Sequence, residues 1–293
     1  MKNVEIYYPE LDKRTYYRTV FISDAHLGYR GVKAQELYAF LNSIECQRLL
    51  IVGDFIDTWV SGRSWYWPEI NDKILHRVLE MAIDGDTEVI YIPGNHDDRF
   101  RRWVGTTFSG IRIEQDFVHT TLEGKKLLVM HGDEFDLVVR QHLRLSKFSH
   151  HIFGLLRKMN RMINFLRKSV GKKSWSLSEW VRRSYQRMIK ARIRLAEAAI
   201  NEAKERQLDG VICGHIHRLE QLEINGMEYW NTGDWMEDST FIGELIDGTL
   251  VPMRMNPLIE KKTFDFMINR AEEFRESKNK SRLQLNTQLE TQS

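Results

Sequence analysis

The sequence predicts an α/β fold in which two mixed β-sheets pack face to face between helices. Short apolar runs that end in Gly and Asp alternate with longer segments whose apolar residues recur at helical spacing, as is typical of βα units. Further along the chain, the turn pairs Asn225-Gly226 and Asp247-Gly248 stand between apolar runs, which indicates antiparallel hairpins. Parallel βα units joined to hairpins give sheets of mixed direction.

The same patterns give the individual elements in chain order. Buried strands are predicted at residues 19–22, 49–52, 88–92, 127–130 and 211–213. Helices are predicted at residues 34–44 and 70–83, and a third, rich in Ala and Glu, at residues 191–207. Hairpins are predicted across residues 117–129, 219–229 and 241–255.

Length and composition indicate a globular protein with one large domain or two ordinary ones. The chain has 293 residues, 42% of them hydrophobic and 29% charged, which excludes collagen-like, coiled-coil and largely disordered classes. We expect a domain over residues 1–270, which contains a helical insertion at about 137–190, and a polar, disordered tail over 271–293. Two cysteines, no signal peptide and no long apolar run predict a cytoplasmic protein, with a peripheral position on the inner membrane left open.

The insertion has an unusual charge balance. The formal net charge is only +2, yet residues 137–190 contain 14 Lys and Arg and one acid, Glu179, so the remainder carries 29 bases and 40 acids. A basic segment of this kind favours phosphate, nucleic acid or an anionic membrane surface as its partner. A solvated helical face is the alternative interpretation. Apolar residues interleaved at helical spacing, such as Ile152, Leu155 and Met159, favour a binding role for the segment as a group, whereas each one taken alone is more often packed against the protein.

Five short motifs follow the predicted strands, and each offers carboxylate, amide or imidazole groups. The motifs are Asp24-Ala25-His26, Gly53-Asp54-Phe55-Ile56-Asp57, Gly94-Asn95-His96-Asp97, His131-Gly132-Asp133 and Gly214-His215-Ile216-His217. Any one of these motifs alone is more often a turn or a packed histidine.

Because strand ends meet at one edge of a sheet, seven side chains from these motifs are expected to converge. These are Asp24, His26, Asp54, Asn95, His131, His215 and His217. Seven ligands are too many for one tetrahedral ion and suit two divalent ions that share a carboxylate.

This ordered set of motifs resembles the calcineurin-like metallophosphoesterases, whose pattern is D-x-H, G-D-x-x-D, G-N-H-D, H and G-H-x-H. The resemblance spans residues 19–246 and implies a four-layer αββα sandwich of two mixed sheets. It also implies a dinuclear centre in which Asp54 bridges the ions. The first ion would be held by Asp24, His26, Asp54 and His217. The second would be held by Asp54, Asn95, His131 and His215.

The chemistry of such a centre suggests roles for the neighbouring residues. Two divalent ions about 3.5–4 Å apart neutralise charge on a transferred phosphoryl group and activate water. His96 is the candidate to stabilise the phosphoryl oxygens or to protonate the leaving oxygen, and Asp97 to orient its imidazole through a hydrogen bond. Asp57 and Asp133 are predicted either to support the ligands or to be ordinary turn carboxylates. The ligand set accepts manganese, iron or zinc.

A narrower resemblance concerns the bacterial UDP-2,3-diacylglucosamine pyrophosphatases of lipid A biosynthesis. It rests on the stretch from Ser23 to Leu27, on Gly53-Asp54-Phe55, on His131-Gly132-Asp133, on the insertion that follows, and on the closing G-H-x-H motif. It implies release of UMP and a diacylglucosamine 1-phosphate, dependence on manganese, and use of the insertion as a lid over the acyl chains. Many of those enzymes carry Arg where this chain has His96.

The sequence leaves two other function classes open. One is a phosphodiesterase or nuclease of the same superfamily with another substrate, and the other is a non-catalytic membrane or protein-binding module. We expect an anionic lipid or nucleotide-lipid substrate and the cytosolic membrane surface as partners, and no nucleic acid. Oligomeric state is not predicted. Four aromatic residues after the second motif are either a wall of the site or loop anchors, namely Trp59, Trp65, Tyr66 and Trp67.

Overall fold

The structure, a computed structural model, describes residues 4–7, 14–59, 65–135 and 177–255, with side chains of the last segment described from residue 189 onward. The predicted tail at 271–293 and most of the predicted insertion at 137–190 lie outside these residues.

The larger sheet has eight strands and mixed direction. Its strands, in chain order, are β1 (Glu5–Tyr7), β2 (Thr15–Ile22), β3 (Ile44–Val52), β4 (Glu88–Ile92), β5 (Thr106–Phe108), β6 (Ile111–Ile113), β12 (Thr240–Glu244) and β13 (Leu250–Met255). Their order across the sheet is β1-β13-β12-β2-β3-β4-β6-β5. The central strands β2, β3, β4 and β6 are parallel, and β12 runs antiparallel to both its neighbours.

The smaller sheet has five strands. They are β7 (Phe117–Thr120), β8 (Lys126–Met130), β9 (Gly210–Cys213), β10 (Leu219–Ile224) and β11 (Met227–Thr232), in the order β10-β11-β9-β8-β7. Strands β8, β9 and β11 are parallel, and antiparallel hairpins form both edges. The three α-helices of the described residues are α1 (Ala34–Ser43), α2 (Glu69–Ile83) and α3 (Leu177–Glu205).

Alternation of side chains along the strands builds the four layers. In β2 and β3, Phe21 and Leu50 face the smaller sheet, where they pack in one cluster with Val129 and Ile212. The neighbours of Phe21 and Leu50 face the other way and pack with α1 and α2. In β8 and β9 the outward residues pack against Ala199 and other small residues of α3. The predicted αββα sandwich of two mixed sheets is therefore confirmed.

The three predicted hairpins are present, and one shows why its turn residues matter. Strands β10 and β11 pair from Leu219 with Thr232 to Ile224 with Met227. Between them, Asn225 and Gly226 have φ angles of 53° and 77°. Positive φ at both central positions is what a tight two-residue hairpin turn requires, and Asn-Gly tolerates it.

The structure departs from the predicted elements at their ends. Helix α3 begins at Leu177 and not at residue 191. No Gly or Pro interrupts residues 177–205, so the helix can continue over the whole range. The last residues of the predicted insertion, 177–190, are therefore part of the same helix as residues 191–205. Strands β1, β5 and β6 were not predicted, since each has only three residues, which is too few to show a period of two. Within the described residues, none of the helices combines the length and the apolar character needed to cross a membrane.

Candidate metal centre

The predicted site residues lie in loops at the carboxyl ends of strands from both sheets. Asp24, Asp54 and Asn95 follow β2, β3 and β4, three adjacent parallel strands of the larger sheet. His131 and His215 follow β8 and β9, which are neighbours in the smaller sheet. Because the two sheets pack face to face, their strand ends open onto one shared site.

Six of the seven predicted ligands form two clusters. In each cluster the ligand atoms lie within 4.8 Å of one another; the first contains Asp24, His26 and His217, and the second contains Asp54, His131 and His215. Asp54 connects them, because its Oδ2 lies 3.3 Å from Nε2 of His131 and 3.8 Å from Nε2 of His26. A carboxylate between two groups of ligands is the arrangement that a bridging ligand requires.

The seventh predicted ligand, Asn95, is placed by a close approach at Gly94. A Cβ atom on Gly94 would lie 2.3 Å from Oδ1 of Asp54 and 2.6 Å from Nε2 of His131. Only glycine lets the backbone of this loop come so near to both side chains. Asn95 thereby stands next to the second cluster, with its Oδ1 buried.

Backbone strain is concentrated at the same residues. The five predicted ligands Asp24, His26, Asp54, His215 and His217 have φ angles between 47° and 71°. Non-glycine residues rarely adopt this left-handed region, and strain of this kind is tolerated where a site needs a side chain in one position. The loops are therefore shaped to direct ligands inward at a cost in local backbone energy.

The residues present fit divalent metal ions. Oδ1 of Asp24, Oδ1 of Asn95 and Nε2 of His131 are buried and make no hydrogen bond within the described part of the chain. A buried polar atom left in this state costs on the order of 1–3 kcal/mol. A carboxylate oxygen, an amide oxygen and an imidazole nitrogen are all donors that manganese, iron and zinc accept. The unsatisfied atoms are therefore the ones that metal coordination would satisfy.

Charge coupling in the cluster moves the pKa values of its members in opposite directions. Burial lowers the pKa of His131, but the negative charge of Asp54, whose Oδ2 lies 3.3 Å from Nε2, outweighs burial and raises that pKa to about 10. Burial raises the pKa of Asp54, but His131, His26 and His96 together bring it well below its usual range. Protonated histidines thus compensate the buried acids when no cation does.

His96 lies beside the predicted ligands, and Asp57 contacts its ring. Oδ2 of Asp57 lies 3.0 Å from Nδ1 of His96 and 3.3 Å from Nδ1 of His26. His96 can complete a third cluster with His26 and Asp54. The predicted supporting role of Asp57 is consistent with these contacts.

The hydrogen bond predicted from Asp97 to His96 is not formed in the described residues, and this expectation is corrected. Asp97 is fully buried and turns away to accept hydrogen bonds from the backbone N–H groups of Phe55 and Gly94 and from the hydroxyl of Tyr91. Asp97 therefore fastens the loop that carries Asn95 and His96 instead of orienting the imidazole.

Asp133 lies near the site with a different partner. Its Oδ1 pairs with a guanidinium nitrogen of Arg101 at 2.7 Å, and the same guanidinium donates to the carbonyl of Pro93. This ion pair joins the loop after β8 to the turn that follows Asn95. Nδ1 of His131 is held by the carbonyl oxygen of Val52 at 2.8 Å, not by Asp133.

Asp234 is a site residue that the sequence reasoning missed. Its Oδ2 lies 3.3 Å from Nδ1 of His217, and its Oδ1 accepts hydrogen bonds from the backbone N–H groups of Met236, Glu237 and Asp238. The signal was present, because Gly233-Asp234 follows strand β11 as Gly53-Asp54 follows β3. Asp234 contacts Nδ1 of His217 in the same way that Asp57 contacts Nδ1 of His96.

A four-layer sandwich with two clusters of residues that could hold cations, joined by one carboxylate, is the arrangement of the class of metal-dependent phosphoesterases. The chain belongs to the calcineurin-like phosphoesterase family, whose sequence model matches residues 17–219. Both the fold and the order of the ligand motifs agree with this assignment.

Relatives within the family have low sequence identity to this chain. The UDP-2,3-diacylglucosamine hydrolase of Psychromonas ingrahamii is 24% identical over 236 residues, which cover 77% of this chain and 92% of the relative. The protein of the same name from Neisseria gonorrhoeae is 25% identical over 227 residues, which cover 74% of this chain and 90% of the relative. A solved archaeal phosphodiesterase aligns with 80% of this chain and 98% of its own at 14% identity, with a TM-score of 0.41.

Proposed function

We propose that the protein hydrolyses the pyrophosphate bond of a nucleotide-activated glycolipid, UDP-2,3-diacylglucosamine, to give UMP and 2,3-diacylglucosamine 1-phosphate. The observation that carries the hydrolytic part is the pair of ligand clusters joined by Asp54. The support for this substrate is the name of the relatives, UDP-2,3-diacylglucosamine hydrolase, which align over about nine tenths of their own length.

In this proposal the ligands divide between two cations. One is held by Asp24, His26, Asp54 and His217, and the other by Asp54, Asn95, His131 and His215. Two bound divalent cations would neutralise charge on the phosphate and make water more acidic. Manganese is the proposed metal, with iron and zinc accepted by the same donors.

The other groups of the site orient the imidazole rings of three histidines, His96, His131 and His217. His96 has its Nδ1 beside Asp57, so its Nε2 is the nitrogen that can meet a phosphoryl oxygen or give a proton to the leaving oxygen. Asp234 fixes the ring of His217, and the Val52 carbonyl fixes the ring of His131. Ligands held in this way need little rearrangement when a substrate binds.

The lipid part of the proposal draws on the sequence of residues 137–190, which lie mostly outside the described structure. Its apolar residues could bury acyl methylenes at ~0.8 kcal/mol each. Its 14 Lys and Arg could meet anionic headgroups at about 1 kcal/mol per charge near a membrane surface. We therefore propose that the enzyme takes its substrate at the cytosolic face of a membrane.

The test is release of UMP from UDP-2,3-diacylglucosamine by the purified protein. We expect hydrolysis with manganese and none after chelation. Asp54→Asn should abolish it and lower the bound metal, since it weakens both clusters at once. The control is Asp116→Asn, which removes only a surface ion pair with Arg206 and should retain activity. Thermal unfolding of both variants would show that they fold.

Other outcomes would favour the two alternative functions, a nuclease or other phosphodiesterase and a non-catalytic binding module. Cleavage of DNA with salt-sensitive binding, and no release of UMP, would replace the lipid substrate with a nucleic acid. A purified protein that binds no manganese, iron or zinc and hydrolyses no phosphodiester would contradict the catalytic proposal altogether.

A further inference from the structure

Three consecutive residues after strand β3 hold His96. Asp57 contacts Nδ1 at the ring edge, and the N–H and hydroxyl groups of Thr58 donate to the His96 carbonyl at 2.9 and 2.6 Å. The indole of Trp59 stacks on the imidazole face, with ring centroids 4.1 Å apart and an interplanar angle of 27°. Backbone, ring edge and ring face are thus each contacted by a different residue of one loop.

Trp59 differs from the structural tryptophans of the fold. Trp230 and Trp235 are almost fully buried, whereas Trp59 is 51% exposed. Leaving a large apolar ring half exposed sacrifices much of the free energy that its burial would give. Core packing therefore does not account for the position of Trp59, and its stacking on His96 is the contact that needs a reason.

The stack complements the hydrogen bond at the ring edge. The backbone N–H of Trp59 donates to Oδ1 of Asp57 at 3.0 Å, so the residue that covers the ring face is tied to the residue that holds Nδ1. The ring of His26 stands edge-on to His96 at 4.6 Å and 87°. With these contacts in place, the imidazole of His96 could rotate about its Cβ–Cγ bond only if the indole of Trp59 moved.

We propose that Trp59 is a positioning residue, whose indole fixes the plane of the His96 imidazole so that Nε2 addresses the reacting phosphate. This inference rests on the proposed phosphoester hydrolysis, although it does not depend on the identity of the lipid. Trp59 acts through His96 and does not itself touch the reacting atoms.

A double-mutant cycle tests whether Trp59 acts through His96. The probe is bis(p-nitrophenyl) phosphate with manganese, and the proteins are the wild type, Trp59→Ala, His96→Gln and the double variant. We expect Trp59→Ala to lower kcat by about tenfold with KM nearly unchanged, because a misplaced catalytic group costs rate more than binding. In the His96→Gln background, Trp59→Ala should cause no further loss.

Two further variants separate positioning from general loosening of the loop. Trp59→Phe keeps an aromatic face over the imidazole and should restore most of the lost kcat. Trp103→Ala is the matched control, because Trp103 is 44% exposed and contacts the ring of Phe100 instead of a histidine. It should retain the wild-type kcat. Metal content and thermal midpoint are measured for every variant.

The outcomes are distinct. An equal loss from Trp59→Ala in both backgrounds would overturn the inference, as would a rise in KM with kcat unchanged, which would mean that Trp59 binds substrate directly. In either case an active wild type leaves the proposed function standing. A wild type that neither hydrolyses this probe with manganese nor releases UMP from UDP-2,3-diacylglucosamine would overturn the proposed function and the inference together.

Discussion

Asp57, and not the adjacent Asp97, is the carboxylate that contacts His96. Its Oδ2 lies 3.0 Å from Nδ1 of the imidazole, although 39 positions separate the two residues in the chain. The contact exists because β3 and β4 are parallel neighbours, so the loops that follow them lie side by side. The pKa of Asp57 lies below its usual range, since hydrogen bonds from His26 and His96 outweigh the effect of burial.

The two carboxylates should therefore respond differently to the same substitution. We expect Asp57→Asn to loosen His96 and His26 and to lower kcat by about 10–100-fold, the usual effect of removing a group that orients a ligand or a catalytic imidazole. Steady-state kinetics on bis(p-nitrophenyl) phosphate, with the metal content of each sample, would measure it.

Asp97→Asn is expected to act on stability. It places an amide N–H₂ where an oxygen now accepts from buried donors, including the N–H of Phe55 at 2.8 Å. The loss should be on the order of 1–3 kcal/mol in the free energy of unfolding, measured by urea denaturation. A large loss of kcat with unchanged stability for Asp97→Asn would contradict this division of roles.

Much of the site was predictable because ligand chemistry and strand ends are both local features of the sequence. The motifs containing Asp54 and His131 each follow an apolar run, and a parallel sheet brings such ends together whatever the intervening loops do. The layers were predictable for the same reason, since alternation along β2 and β8 divides apolar residues between the inter-sheet core and the helices.

The contacts that orient the ligands were not predictable in the same way. Which acid reaches His96 depends on the register between two strands, and adjacency in sequence suggested Asp97 instead. Asp234 was missed because the strand before it, β11, ends in the polar residues Asn231 and Thr232 instead of an apolar run, and its Gly-Asp pair looks like an ordinary turn. Hydrogen bonds between loops are set by packing, which a single sequence does not reveal.

Removing the support of His217 should weaken metal binding. Asp234→Asn removes the charge that holds Nδ1 of His217, so we expect the affinity for manganese to fall about 10–100-fold. Asp247→Asn is the control, because Asp247 also accepts a hydrogen bond from a backbone N–H two residues on, that of Thr249, but lies in the β12–β13 turn. Calorimetric titration with manganese would compare them. Equal affinities would contradict the role assigned to Asp234.

Metal affinity should rise with pH. In the metal-free protein the pKa of His131 is raised to about 10, so its imidazole holds a proton at neutral pH, and a cation must displace that proton to bind. One proton released per cation predicts an increase in apparent affinity of about tenfold per pH unit below that pKa.

Manganese titrations at pH 6, 7 and 8, in buffers of different ionisation heat, would count the protons released. An affinity that does not change over this range would show that His131 is already neutral in the metal-free protein.

A buried pair far from the metal ligands should govern acid stability. Glu244 in β12 and His119 in β7 join the two sheets through a contact of 3.0 Å, and Glu244 also accepts from the N–H of Leu122. Burial raises the pKa of Glu244, but the hydrogen bond and charge of His119 outweigh burial and lower it. A carboxyl with a lowered pKa stabilises the fold above its ordinary pKa, and this contribution is lost as the pH falls through the folded-state value.

Glu244→Gln should therefore reduce the free energy of unfolding by on the order of 1–3 kcal/mol at pH 7, and the difference from wild type should shrink as the pH falls below about 4.5. Urea denaturation of the metal-free proteins between pH 3.5 and 7 would measure this without interference from cation binding. Glu45→Gln, which removes only an exposed pair with Arg14, should change stability by no more than a few tenths of a kcal/mol. If the two variants lost the same stability at every pH, the pair between the sheets would contribute nothing that an ordinary surface ion pair does not.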